Sequence, residues 1–233
     1  MAVAAVEDLQ SQIGYRFTDP QLLLEALTHS SFAQENASPL RDNEHLEFLG
    51  DAVLNFIVSV RLADAFPGYE EGKLSRARAR LVAAEHLARA AARLQLGDYL
   101  RLGRGEEKSG GRAKSNLQVN ALEALIAAIY RDGGLAAARR FVERFVLPED
   151  LTSRADELFS TDYKSALQEY LQGEKGRSAE YQVVEESGPE NQKTFTVEVM
   201  AGENLVARGS GASKKAAEQQ AARNLLERLG RKP

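Results

Sequence analysis

Apolar residues recur every three or four positions along most of the first 147 residues. The spacing predicts amphipathic helices over roughly 5–12, 20–28, 43–65, 72–95, 116–131 and 135–147. Turn material such as Pro67-Gly68 and Gly110-Gly111 separates them, and no alternating strand pattern interrupts them. Pro148-Glu149-Asp150 then opens a polar stretch reaching Thr161. Beyond it the period changes. Asp162–Gln172 reads as a helix. Ala179–Glu186, Lys193–Met200 and Asn204–Gly209 read as short strands, with turns at Ser187-Gly188-Pro189 and Ala201-Gly202-Glu203. Ser213–Leu229 closes as an alanine-rich helix with Ser213 at its N-cap. The fold class expected is an all-α domain over 1–150, a linker over 151–160, and a small α-β-β-β-α domain over 161–230.

Composition narrows the class. The chain has 233 residues, 43% hydrophobic and 27% charged, a globular rather than disordered balance. Its longest apolar run, Ala124–Tyr130, is far short of the roughly 20 residues of a membrane span. Glu7 and Asp8 stand near the start with no basic region before them, so no signal peptide is expected. The absence of cysteine excludes disulfides, thiolate zinc sites and cysteine nucleophiles, and suits a cytoplasmic location. Net charge is −4, the wrong sign for a protein that simply coats nucleic acid. Residues 1–160 hold 19 basic and 23 acidic side chains, and the remainder holds 11 of each. Any polyanion must therefore be met by local clusters and metal ions.

Two helices carry candidate chemistry. Glu44, Glu47 and Asp51 stand at i, i+3 and i+7, within a wedge of roughly 60° on one helix face. Leu46, Leu49, Val53, Phe56 and Ile57 occupy the opposite side. A solvated acidic face would explain the carboxylates equally well. The segment Leu117–Tyr130 is apolar except for Gln118, Asn120 and Glu123, which predicts a buried helix whose carboxylate needs a partner. Asn120 and Glu123 present two oxygens together. With no Cys and only His29, His45 and His86, a metal site here would be oxygen-rich, favouring Mg²⁺ or Mn²⁺. Carboxylates from two helices around hard cations suit phosphodiester cleavage. No Glu-x-x-His spacing supports a di-iron bundle, and no His is followed by Asp. His29, beside Ser30 and Ser31, reads as a structural histidine.

The segment Asn43-Glu-His-Leu-Glu-Phe-Leu-Gly-Asp-Ala-Val-Leu54 resembles the signature of the ribonuclease III family of double-stranded-RNA endonucleases. Ala26–Phe32, Glu71–Ser75 and Asn120–Leu125 followed by Tyr130 are similar to other segments of that family. The resemblance implies a dimeric, Mg²⁺-dependent helical nuclease leaving 5′-phosphate and 3′-hydroxyl ends. Its expected targets are ribosomal RNA precursors and structured messenger and transfer RNA transcripts. It implies Glu47, Asp51, Asn120 and Glu123 as metal ligands, with Asp51 and Glu123 most directly required for chemistry. Glu44 and Glu71 would line an acidic cleft, and Phe48 would plug into the partner subunit. The family often carries Asp where this chain has Asn120, which ligates through an amide oxygen without adding charge. That departure is the one support for an alternative, a non-catalytic duplex-RNA-binding regulator. A single-strand or DNA nuclease is disfavoured by the C-terminal domain.

Gly209–Ala222 resembles the C-terminal motif of the double-stranded-RNA-binding domain. Ser213, Lys214 and Lys215 there gather a cap, two cations and free helix N–H groups suited to phosphate. Ser165, Gln168, Glu169 and Gln172 share one face of the preceding helix, where polar groups suit the 2′-hydroxyls of the RNA minor groove. Asn191 falls in the loop that, in the family, reaches an adjacent groove. Two basic clusters complete the picture. Arg101, Arg104, Lys108, Arg112 and Lys114 around Gly110-Gly111 are expected to guide phosphates, and Lys73, Arg76, Arg78 and Arg80 form a second stripe.

Overall fold

The computed structural model describes residues 3–36, 41–159, 163–175, 178–189, 193–202 and 205–230. The chain forms two compact units, Met1–Phe159 and Ser160–Pro233.

The first unit is helical. Its elements are α1 (Val3–Ile13), α2 (Pro20–Ala26), α3 (Ser30–Glu35), α4 (Glu44–Ala65), α5 (Glu71–Leu81) and α6 (Ala84–Arg93). They are followed by α7 (Leu96–Tyr99), α8 (Arg104–Lys108), a 3₁₀ turn at Gly111–Ala113, α9 (Ser115–Phe145) and α10 (Ala155–Phe159). Local chemistry sets several of these boundaries. Asp19 caps α2 by accepting from the Gln21 N–H at 2.9 Å, with Pro20 in the first turn. Gly134 takes φ 73° and ψ −177° and breaks α9 where the apolar pattern lapses. The single helix expected over 72–95 is instead two, because Ala83 adopts extended backbone between α5 and α6. Its neighbours Leu87, Ala90 and Ala91 are then buried in the main core.

Helix α9 is the axis of this unit. Every residue from Ala124 to Ile129 is fully buried, because α4, α2 and α6 pack around it. Among the described residues, no helix is long and apolar enough to cross a membrane. Asp132 ties the N-terminal segment to α9, accepting from Tyr15 Oη at 2.7 Å and from the Thr18 and Asp19 N–H groups at 2.9 Å.

The second unit has α11 (Tyr163–Lys175), then β1 (Glu180–Ser187), β2 (Thr194–Met200) and β3 (Val206–Gly211), then α12 (Lys214–Arg228). The strands form an antiparallel sheet in the order β1-β2-β3, with Val183 opposite Val197 and Val197 opposite Gly209. A bulge falls between Val183 and Glu185. Val197, Val199 and Ala207 face Leu167, Leu171, Ala217, Ala221 and Leu225 in the core. Gly209 lets α12 lie directly on β3: a Cβ there would stand 2.1 Å from the Ala221 nitrogen.

Candidate active site and RNA-binding face

The start of α4 is positioned by Asn43. Its buried amide donates to the Ala26 carbonyl at 3.3 Å, and its backbone N–H donates to Thr28 at 2.9 Å. The helix therefore begins against the end of α2, and Glu44 and Glu47 fall in its first turn, where the helix dipole favours negative charge.

Helix α4 packs along α9 and approaches it closely at Gly50. A Cβ on Gly50 would lie 1.8 Å from the Glu123 carbonyl oxygen and 2.5 Å from its carbon. Only a residue without a side chain permits that approach. Glu47 and Asp51 flank Gly50 on α4, while Asn120 and Glu123 lie one turn apart on α9. The structure thus sets against each other the two helices that carry these four side chains. The Asn120 amide hydrogen-bonds the Glu47 carboxylate. Burial, then the charge of Glu44, raises Glu47 above the ordinary carboxylate range. Burial raises Glu123 furthest, to about 7, with Asp51 and then Glu47 adding to the effect.

Sequence reasoning missed Asn55. Its Nδ2 donates to Asp51 Oδ1 at 2.8 Å and to the Asp51 carbonyl at 2.9 Å. Its position one helical turn after Asp51 is the signal that was available.

Among the described residues, no three His, Cys, Asp or Glu side chains are gathered closely enough to hold a metal ion as they stand. Nor does an ion pair among them involve Glu44, Glu47, Asp51 or Glu123. Like charges without a counter-cation repel, and Asp51 is held by Asn55. The donor chemistry nonetheless fits a hard divalent cation: three carboxylates and an amide oxygen.

The other expected residues fall out unevenly. Glu44 is exposed beside Glu47. Glu71 is exposed at the start of α5 and accepts from Ser75 Oγ at 2.7 Å, and no interaction found at the quartet includes it. Phe48 is 80% exposed. Phe56, on the side of α4 opposite the carboxylates, is 53% exposed. His29 is structural, since its Nδ1 accepts from the Ser31 N–H at 3.2 Å and caps α3.

In the basic loop after α7, Lys114 pairs with Glu106 and Arg112 with Glu107, both at 2.6 Å, and Arg101 stacks over Phe32. Arg104, Lys108 and Lys114 are exposed. The stripe on α5 is divided likewise: Arg78 donates to Ser59 Oγ and Arg80 to the Leu158 carbonyl.

In the second unit, Ser165, Glu169 and Gln172 are exposed on α11. Gln168 is half-buried and its Oε1 accepts from the Ala179 N–H at 3.3 Å, so it also braces the entry to β1. Ser213 Oγ accepts from the Ala216 N–H at 3.2 Å, as its capping role requires. Lys214 pairs with Glu186 at 3.3 Å and lies over the Phe195 ring, while Lys215 is exposed. Asn191 lies outside the described residues.

Residues 19–150 match the family model described as Ribonuclease-III-like, and residues 163–229 match the double-stranded RNA binding motif. A protein named Ribonuclease 3 from Solibacter usitatus is 53% identical over 234 residues, covering 95% of this chain and 86% of that one. Another of that name, from Geobacter sulfurreducens, is 48% identical, covering 97% and 91%. A solved nuclease domain from Campylobacter jejuni, whose description mentions a region involved in dimer formation, is 40% identical with a TM-score of 0.57. It covers 60% of this chain and 95% of its own.

Proposed function

The chain belongs to the ribonuclease III family, an endoribonuclease family, and from that premise we propose that it cleaves double-stranded RNA as a metal-dependent homodimer. The observation that carries this reading is the Gly50–Glu123 contact, which sets Glu47 and Asp51 against Asn120 and Glu123 in a chain that also bears a duplex-RNA-binding motif.

Glu47, Asp51, Asn120 and Glu123 would hold Mg²⁺, or Mn²⁺ in its place. When bound, the ion supplies a more acidic water and stabilises the charge on the departing oxygen. The side chains of the site prepare for it. Asn120 steadies the Glu47 carboxylate, Asn55 steadies Asp51, and Glu123 takes its ionised form readily only beside positive charge. Attack of water on phosphorus with breakage of the P–O3′ bond leaves a 5′-phosphate and a protonated 3′-oxygen. Glu44 and Glu71 would extend the acidic cleft.

Dimerisation would cover Phe48. A phenylalanine that is 80% exposed next to Glu47 loses roughly 1.5–3 kcal/mol of favourable burial unless a partner covers it. Two antiparallel RNA strands related by an approximate twofold axis suit two identical sites. On α11 and α12, Ser165, Gln168, Glu169 and Gln172 would meet the minor groove, and Ser213, Lys214 and Lys215 the phosphates, with Asn191 at the next groove. The location would be the cytoplasm, and the substrates ribosomal RNA precursors and structured messenger and transfer RNA transcripts.

The test is a cleavage assay of the full chain on duplex RNA, single-stranded RNA and duplex DNA, each with Mg²⁺ or with chelator. Cutting confined to duplex RNA with Mg²⁺, yielding 5′-phosphate ends, is expected. Cutting in chelator, or of DNA at a similar rate, would refute the assignment.

A further inference from the structure

The nuclease unit contains a second concave feature that its catalytic quartet does not touch. A cavity of about 490 Å³ opens between α5, α6, the end of α9 and α10. Arg80, His86, Arg89, Arg93 and Arg154 line it, and no Asp or Glu is among its described lining residues. Leu81, Val146 and Leu147 supply apolar wall. The volume lies within the range of small-ligand sites.

Several of the basic side chains are held in place by backbone carbonyls. The Arg80 guanidinium donates to Leu158 at 2.9 Å, the Arg93 guanidinium to Phe145 at 2.9 Å, and His86 Nε2 to Val146 at 2.8 Å. Arg80 and Arg154 have further partners as well. A carbonyl fixes a guanidinium without neutralising it, and a guanidinium carries five donors, so most of Arg93's hydrogen-bonding capacity remains beside the cavity. Arg89 pairs with Glu85 at 2.8 Å, but both side chains are largely exposed, and such a pair is weak enough for an anion to compete. Like charges around one cavity repel, and an anion between them relieves that repulsion with charge-assisted, bidentate hydrogen bonds.

From this arrangement we propose that the cavity binds a phosphate-bearing nucleotide. Its phosphate sits between the Arg89 and Arg93 guanidiniums, and its less polar part lies on Leu81, Val146 and Leu147. The nucleotide is either free or the terminal one of an RNA strand, since both present the same chemistry. The site is separate from the quartet, so the proposal does not depend on the catalytic reading.

The chain has three histidines, so the imidazole resonances of the full-length protein give a sparse NMR readout. Titration with ADP in chelator should shift the His86 resonance saturably. Arg89→Ala/Arg93→Ala should weaken ADP at least about tenfold, a change of ~1.4 kcal/mol. Arg89→Lys/Arg93→Lys, which keeps charge but loses the planar fork, should fall between and guards against misfolding of the alanine variant. In a second arm, duplex RNA with a 5′-phosphate is compared with the same duplex bearing 5′-hydroxyl ends. A preference for the phosphorylated duplex that the double variant abolishes, without ADP binding, identifies a strand end as the ligand. The proposal is overturned if neither ADP nor the 5′-phosphate moves His86, or if the variants bind both as the wild type does.

Discussion

Gly50→Ala is the sharpest probe of how the fold builds the proposed catalytic quartet. The added methyl would stand 1.8 Å from the Glu123 carbonyl oxygen, against 3.4 Å or more for ordinary contact, a shortfall of 1.6 Å. The obstructing atoms are backbone, so no side-chain rotation relieves the clash, and α4 must move away from α9 by a distance of that order. Overpacking of this kind costs typically 1–3 kcal/mol, about 1 kcal/mol of which is offset because alanine is the better helix former. A net loss of about 0–2 kcal/mol corresponds to a Tm lowered by up to roughly 8 °C for a protein of this size. Activity should suffer more than stability, because helix propensity does nothing to restore the alignment of Glu47 and Asp51 with Glu123. A misplacement of about 1 Å can cost on the order of 100-fold in rate. Single-turnover cleavage of duplex RNA, read beside a thermal melt, measures both. Gly68→Ala is the control, since nothing lies within 4 Å of a Cβ at that position. Duplex binding in chelator should be unchanged, because the RNA-binding motif belongs to the other compact unit. Wild-type turnover and Tm in Gly50→Ala would refute the close-approach argument outright.

Other perturbations test the same site. Glu123→Gln should abolish Mg²⁺-dependent cleavage while duplex binding persists; near-normal turnover would remove Glu123 from the chemistry. Because burial raises Glu123 to about 7, its contribution to stability is fully present below the unfolded carboxylate value and is lost as pH rises through 7. In chelator the wild type should therefore melt higher at pH 5.5 than at pH 8, and Glu123→Gln should flatten that difference. Asn120→Asp adds charge at the proposed ion and should lower the half-saturating Mg²⁺ concentration by about tenfold, a gain of ~1.4 kcal/mol; an unchanged midpoint in a metal titration would place Asn120 away from the ion. Truncation after Phe159 should leave a folded nuclease unit with weakened duplex affinity, partly recovered at low salt. Full affinity at physiological salt would contradict the role given to α11 and α12.

What could be read from the chain is what its local period writes. The acidic face of α4 was legible because three carboxylates at i, i+3 and i+7 must share a side of any helix. The change to a three-stranded α+β unit showed in the alternation around Val197 and Val199 and in the turn residues between strands. Ser213 announced its helix because a cap is satisfied within a single turn.

Tertiary structure decided what depends on a distant neighbour. Ala83 breaks a run of good helix formers without Gly or Pro, and its extended backbone lets α5 and α6 pack separately. Phe56 follows the apolar period and is nevertheless exposed. Arg112 and Lys114 meet Glu107 and Glu106, partners that charge counting along the loop does not assign. Glu123 betrayed itself as a carboxylate in an apolar helix, but nothing local says that it meets Glu47 and Asp51. That meeting is helped by Gly50, which lacks a side chain where α4 approaches the Glu123 backbone of α9. Periodicity determines which face a residue occupies, and only packing determines what stands across from it.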